Sequence, residues 1–468
     1  MHGRKYRDAV PVTPSAGFGR SLRGWSRCPG FSHCPHDDDP RRSRGTPGLS
    51  EGRTSMFTVC PWTTHRSAAF GTAGESNAYY RRLVARGTTE LSVVFDLPTQ
   101  LGVDSDAPVA SGEVGRAGVA VDSIDDMRVL FTGIPLDRVS TSMAVGAPAA
   151  VLLLLYQLVA EEQGLRADRL TGTVHHDVLT EYVVRGRYVF PPEPSLRLAA
   201  DLFAYCRAQL PRWNTLSFSG RALAEAGATP AQEIAFTLAE GVEHLRTAVA
   251  YGMEADDFAP RLSFLFGARA TLLEELATLR AARRVWSRVL GEQFGARGPA
   301  SRLPVRWAVR GLAAVLGGRP HGSAPSVRPF AGSRAAAGTA DALEAAALEL
   351  MRRVEELGGA VAALGHGFQR DEIERAAHHH RCLDGDGLYE AARLDPVAEQ
   401  RQTERLAKLR AWRCADRVDD ALIAVRKAAE GSDNVLHPMK QALASGATVG
   451  EVCDTLRQVW GAGFQPAA

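Results

Sequence analysis

The chain has 468 residues, 45% of them hydrophobic and 23% charged, enough apolar content to bury the cores of two or three domains. A net charge of +2 gives no global electrostatic argument for nucleic acid or a membrane surface as a partner. The basic charge is almost all arginine, with lysine only at Lys5, Lys408, Lys427 and Lys440, so Schiff-base chemistry is excluded from the central region.

Residues 1–52 are rich in Arg, Gly, Pro and Ser and show no apolar period, the composition of a disordered extension. A natural start nearer Met56 is compatible with that composition. Within the extension, Cys28, His33, Cys34 and His36 fit the spacing of no common zinc module, and no metal site is expected. Seven scattered cysteines without a secretory leader predict a reducing, cytoplasmic setting. The longest apolar run, "VGAPAAVLLLLYQLVA" at 145–160, is too short for a membrane span and reads as a buried helix.

From residue 91 a unit repeats. "LSVVFDLPT" (91–99), "RVSTSMAV" (138–145), "LTGTVHHD" (170–177), "TLSFSG" (215–220) and "RLSFLFG" (261–267) are short β-rich runs ending in polar or glycine residues. Amphipathic helical stretches lie between them, including "SIDDMRVLFTG", "PAQEIAFTLAEGVEHLRTAVAYG" and "ARATLLEELATLRAARRVWSRVL". Alternating strands and helices predict a parallel sheet, and with no Gly-rich dinucleotide fingerprint the expected class is α/β, a (β/α) TIM-type barrel core over 53–296. Its reaction centre would then sit at the C-terminal strand ends, where His175, His176, Ser219, Gly220 and Arg221 fall.

The rhythm then weakens. Residues 297–340 read as a degenerate barrel segment and linker with one helix at about 305–316, and no strands six to eight are legible, so the barrel is expected to be incomplete. Residues 341–468 read as helices only, a C-terminal appendage or docking region. His378, His379 and His380 lie on one of those helices, where three consecutive residues spread around the axis and cannot share one metal.

The segments "PWTTHRSAAFGTAGESNAYYRRL", "LSVVFDLPTQLGVDSD", "GEVGRAGVAVDSIDDMRVLFTGIPLD", "LTGTVHHDVLTEYVVRGRYVFPPEPSLRLAADLFAY", "SGRALAEAGATPAQEIAFTLAEG", "FAPRLSFLFGA" and "LRAARRVW" are long and closely spaced. On them the chain, from Met56 to about Phe464, resembles the catalytic large subunit of the adenosylcobalamin-dependent acyl-CoA mutases, the methylmalonyl-CoA and isobutyryl-CoA mutase family. The resemblance implies a (β/α) barrel threaded by the pantetheine arm of coenzyme A and capped by cobalamin. It also implies radical migration of a carbonyl-CoA group, with the cofactor carrying the hard chemistry. No Asp-x-His-x-x-Gly stretch occurs, so a small cobalamin-binding partner subunit is expected to supply the lower cofactor ligand, with homo-oligomerisation as the other assembly.

By the same resemblance Thr173, Asn214, Arg261 and Ser263 stand where members contact the acyl-CoA. Arg185 matches the arginine that grips a substrate carboxylate, which would favour a dicarboxylic acyl-CoA, and it also lies on the cofactor side. Glu225 matches a cofactor-facing glutamate. Other positions depart from the family: Ser67 replaces a tyrosine, Cys60 and His65 replace arginines, and His175 replaces a glutamine near the thioester. Arg221 and Ala222 replace a Tyr-His pair whose histidine donates to the thioester carbonyl. His175, Arg185 and Arg221 are therefore the candidate catalytic residues. Three readings follow: a mutase large subunit, a pseudoenzyme that still binds acyl-CoA, and a barrel repurposed for cobalamin-free acid/base work on a thioester.

Overall fold

In the parallel strands every second side chain faces a helix layer and the alternate ones face away. Leu91 and Val93 are fully buried while Ser92 and Val94 between them are half-buried. The computed structural model describes residues 67–68, 71–186, 189–267, 271–296, 305–307, 334–381 and 396–462. Strands β1 (Ser67–Ala68), β2 (Glu90–Val94), β3 (Ser140–Ala144), β4 (Gly172–His175) and β5 (Trp213–Asn214) form one parallel sheet in chain order. Strands β6 (Leu216–Ser219), β7 (Leu262–Leu265) and β8 (Val305–Trp307) form a second parallel sheet. Only Thr215 separates β5 from β6, so the chain crosses from one sheet to the other within a single extended run.

The five strand-like runs of the sequence thus correspond to β2, β3, β4, β6 and β7. Three further segments join them. β8 corrects two expectations: a helix at about 305–316 and no strand after the fifth run. Residues 305–307 are a strand paired with β7, with a register irregularity at Phe264 and Leu265. Of the expected segment 297–340, residues 297–304 and 308–333 lie outside the described residues, and 334–340 belong to a helix.

Helices connect the parallel strands, as parallel pairing requires. They are α1 (Ala73–Ala85), α2 (Leu97–Leu101), α3 (Ile124–Phe131), α4 (Ala149–Glu162), α5 (Val178–Arg185), α6 (Pro192–Gln209), α7 (Gly220–Glu225), α8 (Pro230–Ala250), α9 (Ala255–Phe258) and α10 (Leu272–Phe294). Sequence signals set several starts: Thr229 with Gln232 and Thr271 with Glu274 close reciprocal capping boxes at α8 and α10. An aromatic ladder joins strands to helices, with Phe218 on Phe264 at 5.2 Å and Phe264 on Trp286 at 4.8 Å between ring centres. Gly172 is required by close approach, since a Cβ there would lie 2.2 Å from the Thr141 carbonyl oxygen.

The expected all-helical region begins at Arg334. Helices α11 (Arg334–Glu356), α12 (Ala360–Gly365) and α13 (Phe368–Arg381) pack around α8, α10 and α5. His378 to His380 lie on α13, and His378 is exposed. Helix α14 (Pro396–Trp412) docks on the loop after β2. There Gln402 donates to Asp122 at 3.0 Å, Arg405 meets Asp126 at 2.9 Å and Arg410 meets Asp104 at 2.7 Å. Helices α15 (Ala415–Glu430), α16 (Leu436–Ala444) and α17 (Val449–Trp460) pack together, with α16 and α17 against α4. That cover explains why the apolar run of α4 is buried on nearly every face. Among the described residues no helix is long and apolar enough to cross a membrane.

Candidate active site

The strand face turned away from the helices carries small and polar residues. Ser142 on β3, Thr173 on β4 and Asn214 on β5 follow one another in register, as do Ser217 on β6 and Ser263 on β7. Asn214 Nδ2 donates to Ser263 Oγ at 2.9 Å, stitching the two sheets together, and Ser263 Oγ donates to the Leu216 carbonyl at 3.2 Å. Asn214 Oδ1 and Ser217 Oγ are buried without a hydrogen-bond partner. Buried polar atoms are normally paired, so an orphaned pair on one strand face marks a place made for polar company.

Above this face, at the C-terminal strand ends, lies a cavity of about 440 Å³. His175, Arg185 and Arg221 all line it, with Ala222, Ser142 and Asp177. His175 Nε2 is 3.1 Å from Ser142 Oγ. Arg185 ends α5 and sends Nη1 to Gln100 Oε1 and Glu181 Oε1, each at 3.4 Å. Arg221 Nε donates to Glu225 Oε1 at 2.6 Å on the exposed face of α7. The structure therefore brings His175, Arg185 and Arg221 to the cavity wall and pairs Glu225 with Arg221, while Thr173, Asn214 and Ser263 lie earlier on their strands, outside the lining, with Thr173 and Ser263 two residues before His175 and Leu265. Arg261 stands apart at the opposite end of β7, with its guanidinium carbon 5.8 Å from the Phe203 ring centre.

His176 lies just beyond the end of β4 and, unlike His175, does not line the cavity. It is buried, with Nδ1 3.0 Å from the Gly146 carbonyl oxygen, and burial pushes its pKa down, so the ring is a neutral packing residue. The side chain of Ser67 and residues Cys60, His65, Cys28, His33, Cys34 and His36 lie outside the described residues. Among the described residues no group of His, Cys, Asp and Glu could hold a metal ion.

Sequence reasoning did not single out Ser142, Asp177, Glu181 or Glu240. Asp177 Oδ2 accepts the Ser219 amide and ties the start of α5 to the end of β6. Glu240 of α8 lies behind it, fully enclosed, and accepts from the Leu179 amide at 3.1 Å and the Thr180 hydroxyl at 2.8 Å. Burial first, then the charge of Asp177, pushes the Glu240 carboxyl well above the usual carboxylate range. Ser142 had a signal in the polar ending of its strand run. Glu240 had none, being one acidic residue on an amphipathic helix.

Comparison with known proteins completes the picture. A family model described as methylmalonyl-CoA mutase matches residues 43–318 and 320–462. The chain is 36% identical to the methylmalonyl-CoA mutase of Escherichia coli strain K12, over 88% of this chain and 67% of that protein. It is also 36% identical to the methylmalonyl-CoA mutase large subunit of Propionibacterium freudenreichii subsp. shermanii, over 87% of this chain and 66% of that one. The human mitochondrial methylmalonyl-CoA mutase is 33% identical over 98% of this chain and 70% of its own length. The chain thus spans about two-thirds of the length of these relatives. It belongs to the methylmalonyl-CoA mutase family.

Proposed function

We propose that the chain is the acyl-CoA-binding large subunit of a carbon-skeleton mutase, with its two parallel sheets as arcs of one (β/α) barrel, its core over 53–296 and β8 added beyond it, and the helices after 341 as a docking region. Family membership supports mutase activity. The observation that carries the site is the cavity at the strand ends with the polar face beneath it, where Asn214 Oδ1 and Ser217 Oγ stand buried and unpartnered. An amide-bearing arm such as pantetheine has the donors and acceptors that such a face lacks. Thr173, Asn214 and Ser263 would bind that arm, and Arg261 at the far strand end would meet the nucleotide. Arg185 would hold a substrate carboxylate through charge-assisted hydrogen bonds.

Adenosylcobalamin fits the rim. Arg185, Arg221 and Glu225 are 47, 54 and 62% exposed there, leaving open ground for a flat macrocycle above the cavity. Arg185 and Glu225 are the residues that would touch it. When bound, the cofactor supplies the radical that starts the migration, while this chain binds, orients and encloses the thioester. The name "large subunit" of the Propionibacterium relative supports a partner, and we assign cobalt coordination to a small cobalamin-binding subunit. The free cysteines Cys206, Cys414 and Cys453 support a reducing, cytoplasmic setting.

A specific observation favours a second reading. Ala222, which has no donor, lines the cavity where the family resemblance places a histidine, and losing one such donor costs about 2.7–4 kcal/mol of barrier stabilisation. An acyl-CoA-binding pseudoenzyme, or a barrel repurposed for cobalamin-free chemistry, accommodates that loss. The deciding experiment assays the full chain with adenosylcobalamin and a small cobalamin-binding subunit on methylmalonyl-CoA and isobutyryl-CoA. Isomerisation supports the mutase reading. Tight acyl-CoA binding without isomerisation selects the second. An Arg185→Ala variant whose KM rises about 10- to 100-fold for methylmalonyl-CoA alone supports the carboxylate grip.

A further inference from the structure

We infer that Ser142 and His175 form a nucleophile–base pair that hydrolyses the thioester of an acyl-CoA held in this cavity. The inference rests on the acyl-CoA reading of the site and adds an activity to it. Both side chains line the 440 Å³ cavity, and Ser142 Oγ lies 3.1 Å from His175 Nε2, within reach for direct proton transfer. The backbone fixes their approach. β3 and β4 pair in parallel with Ser142 opposite Thr173 and Ala144 opposite His175, and the Gly146 amide donates to the His175 carbonyl at 3.0 Å. Ser142 is almost fully enclosed and His175 half-buried, so the pair works at the wall of a sheltered pocket and not on an open surface. Arg221 lines the same pocket and brings a cationic side chain to the wall where an oxyanion would develop.

The chemistry balances without oxidant or cofactor. With the His175 proton on Nδ1, Nε2 takes the Ser142 hydroxyl proton as Oγ attacks the thioester carbonyl carbon. The tetrahedral adduct collapses, the carbon–sulfur bond breaks, and the coenzyme A sulfur leaves with the proton from His175. An acyl ester on Ser142 remains. His175 then deprotonates a water that attacks this ester, the bond to Oγ breaks, and the proton returns to Ser142. The sum is acyl-CoA plus water to carboxylic acid plus free coenzyme A.

The test incubates the full chain with methylmalonyl-CoA, and separately with isobutyryl-CoA, without cobalamin. Thiol release is followed with a thiol-reactive dye and the protein by intact mass. The expected result is steady thiol release and an acyl adduct on the protein. Ser142→Ala abolishes the adduct, and both Ser142→Ala and His175→Gln lower release about a hundredfold or more. Coenzyme A binding measured by calorimetry, retained in both variants, shows that the fold persists. Binding by the unaltered chain without thiol release overturns the hydrolase and leaves the acyl-CoA reading standing. Release unchanged in both variants also overturns it, and absence of binding by the unaltered chain removes both readings.

Discussion

Glu240 of α8 accepts the Thr180 hydroxyl at 2.8 Å and the amides of Leu179 and Thr180 besides, so one buried carboxyl caps the start of α5 from a different helix. Burial and the charge of Asp177 push the Glu240 carboxyl upward, so a neutral side-chain amide of the same shape is its mildest replacement. Glu240→Gln is therefore expected to unfold within about 1 kcal/mol of the unaltered protein. Glu240→Ala strands three donors and costs about 2–5 kcal/mol. Urea unfolding of the two variants side by side checks this, and equal losses would contradict it.

Gly220 opens α7 directly at the end of β6, and a Cβ there would lie 2.6 Å from Thr237 Oγ1 and 3.2 Å from the Leu265 carbonyl oxygen. Gly220→Ala is expected to destabilise by about 1–3 kcal/mol through overpacking. Thr237 Oγ1 is buried with no hydrogen-bond partner, so its removal relieves the clash at little cost. The double variant with Thr237→Ala should recover part of the loss, read as a coupling energy in a denaturation cycle.

Asp122 sits beside Asp126 and Asp104 under α14. Burial, reinforced by the charges of Asp126 and Asp104, pushes its carboxyl up to about 8 against the hydrogen bonds from Gln402 and Ser105. The folded chain then keeps a proton that the unfolded chain releases near pH 4, so this group's contribution to stability falls as pH rises from about 4 to about 8. Asp122→Asn removes that slope. Its Tm is expected to exceed that of the unaltered protein at about pH 8, by a gap that closes toward about pH 5. Thermal unfolding across that range checks the sign, and a gap that widens on acidification would contradict it.

Ala222 lines the cavity beside Arg221. Ala222→His places a donor over the site, and isomerisation with the cobalamin-binding partner is expected to rise about 10²-fold or more if the missing donor limits the barrier. Steady-state assay of methylmalonyl-CoA turnover measures it. Unchanged turnover would mean that this single position is not what limits the chain.

Much of the sheet was legible because its strands are locally consistent. Runs such as "LSVVF" and "RLSFLF" alternate and end in small or polar residues, and the helices between them carry their own caps. β8 was not legible, because "VRW" is three residues in a Gly- and Pro-rich stretch and is a strand only through its pairing with β7. Strand ends alone place His175 and Arg221 near each other, and both line one cavity. What acts across the fold was hidden. Ser142 and His175 meet from strands 33 residues apart, and Thr180 and Glu240 from elements 60 apart. His176, adjacent to His175, shows the converse, since one residue past the strand end a candidate becomes buried core.

The grip of the C-terminal helices on the loop after β2 also has a timetable. Asp104 takes hydrogen bonds from Arg410, Thr448 and Gly450, the last two 344 and 346 positions later in the chain. During synthesis at ~5–20 residues per second, that carboxylate waits roughly 20 to 70 s in water before its partners exist. The loop can therefore reach its final packing only after the start of α17 has emerged, so a segment made early is held open until a segment made much later arrives.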